Sequence, residues 1–222
     1  MQLSKFENKV YETMKKNNLF LFRIRDLCLL LGLDRTKAYN IVKSLKKKGV
    51  IKNIGKRFFA FADVDELSMA TAIHYPSYIS FWTALNYYGF SDNVPKKIFL
   101  ATTKYSKEVG NFKYITLSKK RFFGYTKVGE LTIAEKEKAI LDSLLFPKYS
   151  GGIKEVEKSI ENAINSLDIK KLIEYSFKLK SKIVIKRLGF ILDRLVFKEK
   201  KIVIKKLISR CRLSMRLILA LS

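Results

Sequence analysis

Cysteine, histidine, long apolar runs and carboxylates are all scarce in this chain, and each scarcity excludes something. Cys28 and Cys211 are the two cysteines, far apart and without ligand spacing. They read as a reduced pair of small hydrophobes, not as a disulfide framework or a zinc site. His74 is the sole histidine. A metal site or a nucleophile–base pair built on it needs partners that the sequence does not place nearby, so it reads as structural. No apolar run approaches the length needed to span a bilayer, and the opening MQLSKFENK carries no hydrophobic signal region. The chain is therefore expected in the cytoplasm, with no membrane partner. Gly151-Gly152 is followed by no Lys-Ser/Thr pair of a phosphate-binding loop and reads as a helix-capping loop. Glu137 and Asp142 stand five apart on one predicted helix and do not face each other, which leaves no acid/base pair. No catalytic residue, metal site or cofactor is expected, and the chain is not expected to be an enzyme.

Acids are the most telling shortage. Twenty Asp and Glu stand against 45 Lys and Arg, for a net charge of +25 over 222 residues. That excess implies a polyanionic partner, nucleic acid first and an anionic surface second. It is uneven: residues 1–62 hold 15 basic and 4 acidic side chains, 63–147 hold 11 and 9, and 148–222 hold 19 and 7. The 48% apolar and 13% aromatic content supports a folded chain of one large or two small domains.

What is present centres on Asp34–Lys48, DRTKAYNIVKSLKKK. Asp34 is a helix N-cap and Gly49 a stop. At helical spacing Ala38, Ile41, Val42 and Leu45 share one side. Thr36, Asn40, Lys43 and Lys47 fall nearly opposite, uninterrupted by any acid. A first helix over residues 5–16 should turn Phe6, Val10 and Met14 inward. A compact second helix over Asp26–Leu31 ends at Gly32 and leads by a tight turn into Asp34, which makes a helix-turn-helix. Residues 50–61 read as two strands around a basic turn holding Lys56 and Arg57. That order makes a winged helix over residues 1–62. Thr36 and Asn40 are then placed to read base edges in the major groove of double-stranded DNA. Arg35, Lys37, Lys43 and Lys47 suit phosphates, and Lys56 and Arg57 suit the adjacent backbone or minor groove. Tyr39, at the edge of the stripe, is suited either to a phosphate or to packing against the turn.

Beyond residue 62 the pattern gives a helix over Asp63–Ala72, an aromatic-rich helix over Ser77–Tyr88, and strands at 98–102, 113–117 and 121–126. A helix capped by Thr132, with Glu135 in the capping-box position, is stopped by Pro147. Helices follow at 153–167, 169–179 and 183–197, with a basic helix at 200–209 and a basic, then apolar, ending. The fold class is α+β: an N-terminal winged helix-turn-helix (1–62), then a mixed α/β domain (63–222) with a small sheet in 75–147 and helices in 151–222. Lys119, Lys120 and Arg121 precede Phe122-Phe123, and Lys182, Lys186 and Arg187 lie in the helical part. These six form a second candidate basic surface, read as a further DNA track, as a dock for a protein or RNA partner, or as a solvated face.

The middle of the chain resembles the AbiEi-type antitoxins of type IV toxin–antitoxin, or abortive infection, systems. The resemblance rests on Tyr75-Pro76-Ser77-Tyr78-Ile79-Ser80, Trp82, Ala84-Leu85 and Tyr88-Gly89, then Val94-Pro95 and Ile98-Phe99-Leu100-Ala101-Thr102. It continues through Arg121-Phe122-Phe123-Gly124, Glu137 to Asp142, Gly151 to Val156 and Arg187-Leu188-Gly189-Phe190. With the preceding winged helix it spans about residues 5–200; after about residue 200 the chain departs from the family pattern, so the resemblance assigns no role to Arg210–Ser222. The resemblance implies an antitoxin whose winged helix binds inverted repeats in its own promoter, and whose C-terminal domain takes part in repression. It also implies that this domain counteracts a nucleotidyltransferase-like toxin, without necessarily binding it stably. Two other functions fit the residues: a stand-alone winged-helix regulator with a sensing C-terminal domain, and a nucleic-acid-processing enzyme.

Overall fold

The structure, a computed structural model, describes residues 2–129 and 131–199, and for 196–199 the backbone alone. The expected helix at 200–209 and the ending at 210–222 lie outside the described residues. The fold is mixed α and β. Its first six elements are α1 (Lys5–Lys16), β1 (Leu21–Phe22), α2 (Ile24–Leu31), α3 (Arg35–Lys47), β2 (Ile51–Ile54) and β3 (Phe58–Phe61). The strands form an antiparallel sheet in the order β1-β3-β2. Val10, Met14, Phe22, Leu27, Ala38, Val42, Leu45 and Phe61 close one apolar core beneath them.

Local chemistry explains the helix ends. Ser4 Oγ accepts from Glu7 N, and the Glu7 carboxylate accepts from Ser4 N at 2.7 Å, closing a capping box on α1. Two details differ from expectation. Phe6 is 53% exposed; the buried residue in that turn is Glu7, whose carboxylate is held by Ser44 and Lys48, each at 2.5 Å. The helix α2 starts at Ile24 rather than Asp26, because Asp26 sits in the first turn and accepts from Arg23 N at 2.8 Å.

A second core is built from α4 (Glu66–Ile73), β4 (Ser77–Ile79), α5 (Phe81–Tyr87), β5 (Ile98–Thr102), β6 (Lys107–Val109) and β7 (Phe112–Thr116). It continues through β8 (Tyr125–Val128), β9 (Leu131–Ala134), α6 (Lys136–Leu145), α7 (Ile153–Ala163), α8 (Ile169–Lys178) and α9 (Lys182–Glu199). Its six strands run in the order β6-β7-β5-β4-β9-β8, with β5–β7 and β4–β9 parallel. The helix α6 is central: every residue from Glu137 to Leu144 is buried, and α5, α7, α8 and α9 all pack on it.

Three segments correct the sequence reading. Ser77–Tyr88 is not one helix, because Ser77–Ile79 pairs with β5 and β9 before α5 begins at Phe81. Residues 121–126 are not one strand: Lys119–Arg121 is a 3-10 turn, Phe122 and Phe123 pack half-buried, and β8 starts at Tyr125. Thr132 caps no helix but lies in β9, and Glu135 occupies the N-cap position of α6. Ser77–Ile79 is claimed by distant strands, whereas β8 and β9 claim each other as a hairpin; in both, strand pairing overrode the local pattern.

The sequence boundary at 62/63 does not separate the two cores cleanly. Ile54 and Ala60, on β2 and β3, pack into the second one. The turn after β2 also rests directly on the turn after β6. Gly55 has φ +65°, and a Cβ there would stand 2.9 Å from Val109 Cγ1 and 3.0 Å from Gly110 N, so only glycine permits this approach.

Candidate nucleic-acid interface

The outer face of α3 is built from its N-cap onward. Asp34 Oδ1 accepts from Lys37 N at 2.9 Å, and this bond, ahead of the Lys37 ammonium, holds the Asp34 carboxyl below its ordinary range. Ala38, Ile41, Val42 and Leu45 are buried, which fixes the helix's rotation. Arg35, Thr36, Lys37, Tyr39, Asn40, Lys43 and Lys47 are all exposed. Lys37 lies 3.4 Å from Asp34; among the described residues Lys43 and Lys47 have no ion-pair partner. Lys56 and Arg57 project, exposed, from the turn between β2 and β3. Between that turn and α3 runs a groove of about 1090 Å³ whose charged lining among the described residues is Arg23, Arg25, Arg35, Lys56 and Arg57, with no carboxylate. Tyr39 lines this groove and is 55% exposed, so its hydroxyl is open to solvent.

No family model matches the chain, and no curated protein matches it by sequence. Its fold is known elsewhere. The chain is similar to the RV2827C protein from Mycobacterium tuberculosis, seen in a crystal structure, with a TM-score of 0.62 over 87% of this chain and 78% of that one. The two are 12% identical, so the likeness is one of fold. Among the described residues no helix is long and apolar enough to cross a membrane, and no three His, Cys, Asp or Glu side chains gather as a metal site would require.

The second basic surface divides into tethers and free ends. Arg121 Nε donates to the Leu179 carbonyl at 3.1 Å, which brings the 3-10 turn holding Lys119 and Lys120 against the end of α8. Lys178 reaches over the Phe123 ring at 4.4 Å. Arg187, half-buried, donates to the Leu144 carbonyl at 2.6 Å and ties α9 to α6. Arg121 and Arg187 thus spend donors inside the fold, whereas Lys119, Lys120, Lys182 and Lys186 stand exposed.

A buried polar network was missed by sequence reasoning. On α6, Lys138 and Asp142 are wholly enclosed and paired in the i, i+4 relation. Asp142 also accepts from Tyr78 Oη at 3.0 Å and Ser80 Oγ at 2.8 Å. The Lys138 ammonium lies 5.1 Å from the Phe123 ring and 5.6 Å from that of Tyr78. Burial pushes Lys138 below its ordinary range against the pull of Asp142, and burial, then Asp142, pushes the Tyr78 hydroxyl well up. The i, i+4 spacing was the one available signal; Tyr78 lies too far off in sequence to give another. His74 is buried, with Nε2 3.1 Å from the Tyr105 carbonyl and its pKa lowered mainly by burial. Glu137, also buried, accepts from Asp168 N at 3.0 Å and so joins α6 to α8.

Proposed function

We propose that this chain is a DNA-binding autorepressor whose first six elements form a winged helix, with α3 as the recognition helix and the turn 55–57 as the wing. The carrying observation is the outer face of α3: a base-reading candidate, Asn40, with the exposed Lys43 and Lys47, beside a groove whose charged lining among the described residues is five cations and no acid. Asn pairs bidentately with adenine, and the lysines neutralise phosphates. The element order and the three-stranded sheet β1-β3-β2 support the same reading. On the AbiEi resemblance, the DNA is the chain's own promoter with its inverted repeats. The remaining elements then take part in repression and counteract a nucleotidyltransferase-like toxin encoded beside it. The exposed Lys119, Lys120, Lys182 and Lys186 are a second anionic-partner surface in that role.

The test is titration of the full chain against a duplex carrying its own upstream region and against a random duplex, over a range of salt. A +25 protein binds DNA without preference in any case, so the comparison of the two duplexes decides. Preference for the upstream duplex, lost in Asn40→Ala, is the expected result. Equal binding to both duplexes contradicts specific repression. An adjacent reading frame for a nucleotidyltransferase, and relief of its toxicity on co-expression, test the antitoxin role.

A further inference from the structure

The groove beside α3 does not end at the turn between β2 and β3. A second hollow on the far side of that turn shares Arg23, Lys56 and Arg57 with it and is completed by Tyr105, Lys107 and the turn after β6. The cations Arg23, Lys56 and Arg57 are thus shared by two adjoining hollows that together reach from α3 to the edge of the six-stranded sheet, a depression crossed by the turn 55–57. The acid in the hollow, Glu108, is already committed to Lys97 at 2.5 Å and Lys113 at 2.7 Å. Lys107 is left half-buried in the hollow, and Lys104, outside its lining, is exposed three residues earlier, its carbonyl accepting from Thr116 Oγ1 of β7 at 2.7 Å; burial, then Lys104 and Arg23, push the Lys107 ammonium below the ordinary range. Like charges gathered without a counter-charge favour an anion between them. The strand β6 is the edge of its sheet, so this flank is open to a partner. The Gly55–Gly110 approach holds the two sides of the depression at a set spacing.

We propose that Lys104 and Lys107 bind the sugar-phosphate backbone of the same duplex that α3 addresses, carrying the footprint beyond the turn 55–57 onto the edge of the six-stranded sheet. This rests on the reading of α3 as the DNA-binding face. The chemistry recognised is a row of phosphates, so these lysines set affinity and orientation rather than sequence preference.

The full chain with Lys104→Ala and Lys107→Ala is titrated with the upstream duplex at several salt concentrations and footprinted on it. If each lysine neutralises one phosphate, the log–log salt slope falls by about 1.8, at about 0.9 per phosphate. The footprint shortens on one flank, and the ratio of upstream to random binding is unchanged. Lys104→Glu, at an exposed position, gives weaker binding and the same shortened flank even if the double change disturbs the packing of Lys107. An unchanged slope and footprint in these variants overturns the proposal while leaving the α3 reading intact, provided that Lys43→Ala with Lys47→Ala lowers the slope. If neither set of changes alters binding, the α3 reading itself has failed and this proposal with it.

Discussion

On α3, Lys43 and Lys47 stand exposed and, among the described residues, pair with no acid. On α6, Lys138 is enclosed on all sides and gives its charge to Asp142. The residue type is the same, and so is the helical setting. The difference lies in what each helix packs against. One face of α3 is buried and the other left free, so its lysines remain available to a partner. α6 is packed on by four helices, so any charge on it must be neutralised internally or not exist. Net charge counted along a sequence does not distinguish the two uses. In the middle of the chain the acids Asp142, Glu108 and Glu135 are each held by a lysine, so those charges are met within the fold.

That comparison can be sharpened by substitutions ranked by expected effect. Asp142→Ala strands a buried ammonium and two hydroxyls, so denaturant unfolding should show a loss of about 3–5 kcal/mol; a loss below about 1 kcal/mol would show that Lys138 escapes to water. Tyr78→Phe removes one donor to the buried carboxylate and should cost about 1.5–3 kcal/mol. Asn40→Ala, by contrast, should leave stability within about 0.5 kcal/mol, as a surface change does. It should relax operator preference at one position by about 1–3 kcal/mol. Lys43→Ala and Lys47→Ala should each lower the salt slope by about 0.9, again without altering the unfolding midpoint; a large shift in that midpoint would erase the contrast between the helices.

Glu7 offers a pH test between these extremes. The hydrogen bond from Lys48, then that from Ser44, holds its carboxyl down to about 2 from 4.5. Because the folded value lies below the unfolded one, the stabilisation is complete above about 4.5 and is lost as pH falls towards 2. Glu7→Gln should therefore show a shallower acid-side decline in stability over that window than the unaltered chain. Identical declines would mean that the tie between α1 and the end of α3 does not depend on charge.

How far the sequence could be read depended on how local each signal was. The cap at Asp34, the period of Ala38, Ile41, Val42 and Leu45 and the stop at Gly49 all lie within one helix, and the structure agrees with each. The strands β2 and β3 were legible for the same reason. The strand β4 was not, because its partners are distant: it pairs with β5, and Ile79 with Ile133; β9 pairs mainly with the neighbouring β8, but Leu131–Ala134 sits directly before a helix whose pattern swallowed it. The Lys138–Asp142–Tyr78 network was hidden likewise, since Tyr78 and Asp142 are separated by 64 residues. The groove was half legible. Lys56 and Arg57 stand out in the sequence, but Arg23 joins them through the pairing of β1 with β3, and Lys107 through the turn-on-turn contact of Gly55 and Gly110.

The most direct test of the central claim is footprinting on the chain's own upstream region with the unaltered protein and with Asn40→Ala. The expected result is a protected inverted repeat whose protection is lost or shifted to relaxed sequences in the variant, with the fold unchanged by thermal melting. Equal protection of the same bases by both proteins would contradict the assignment of the outer face of α3 as the surface that reads DNA.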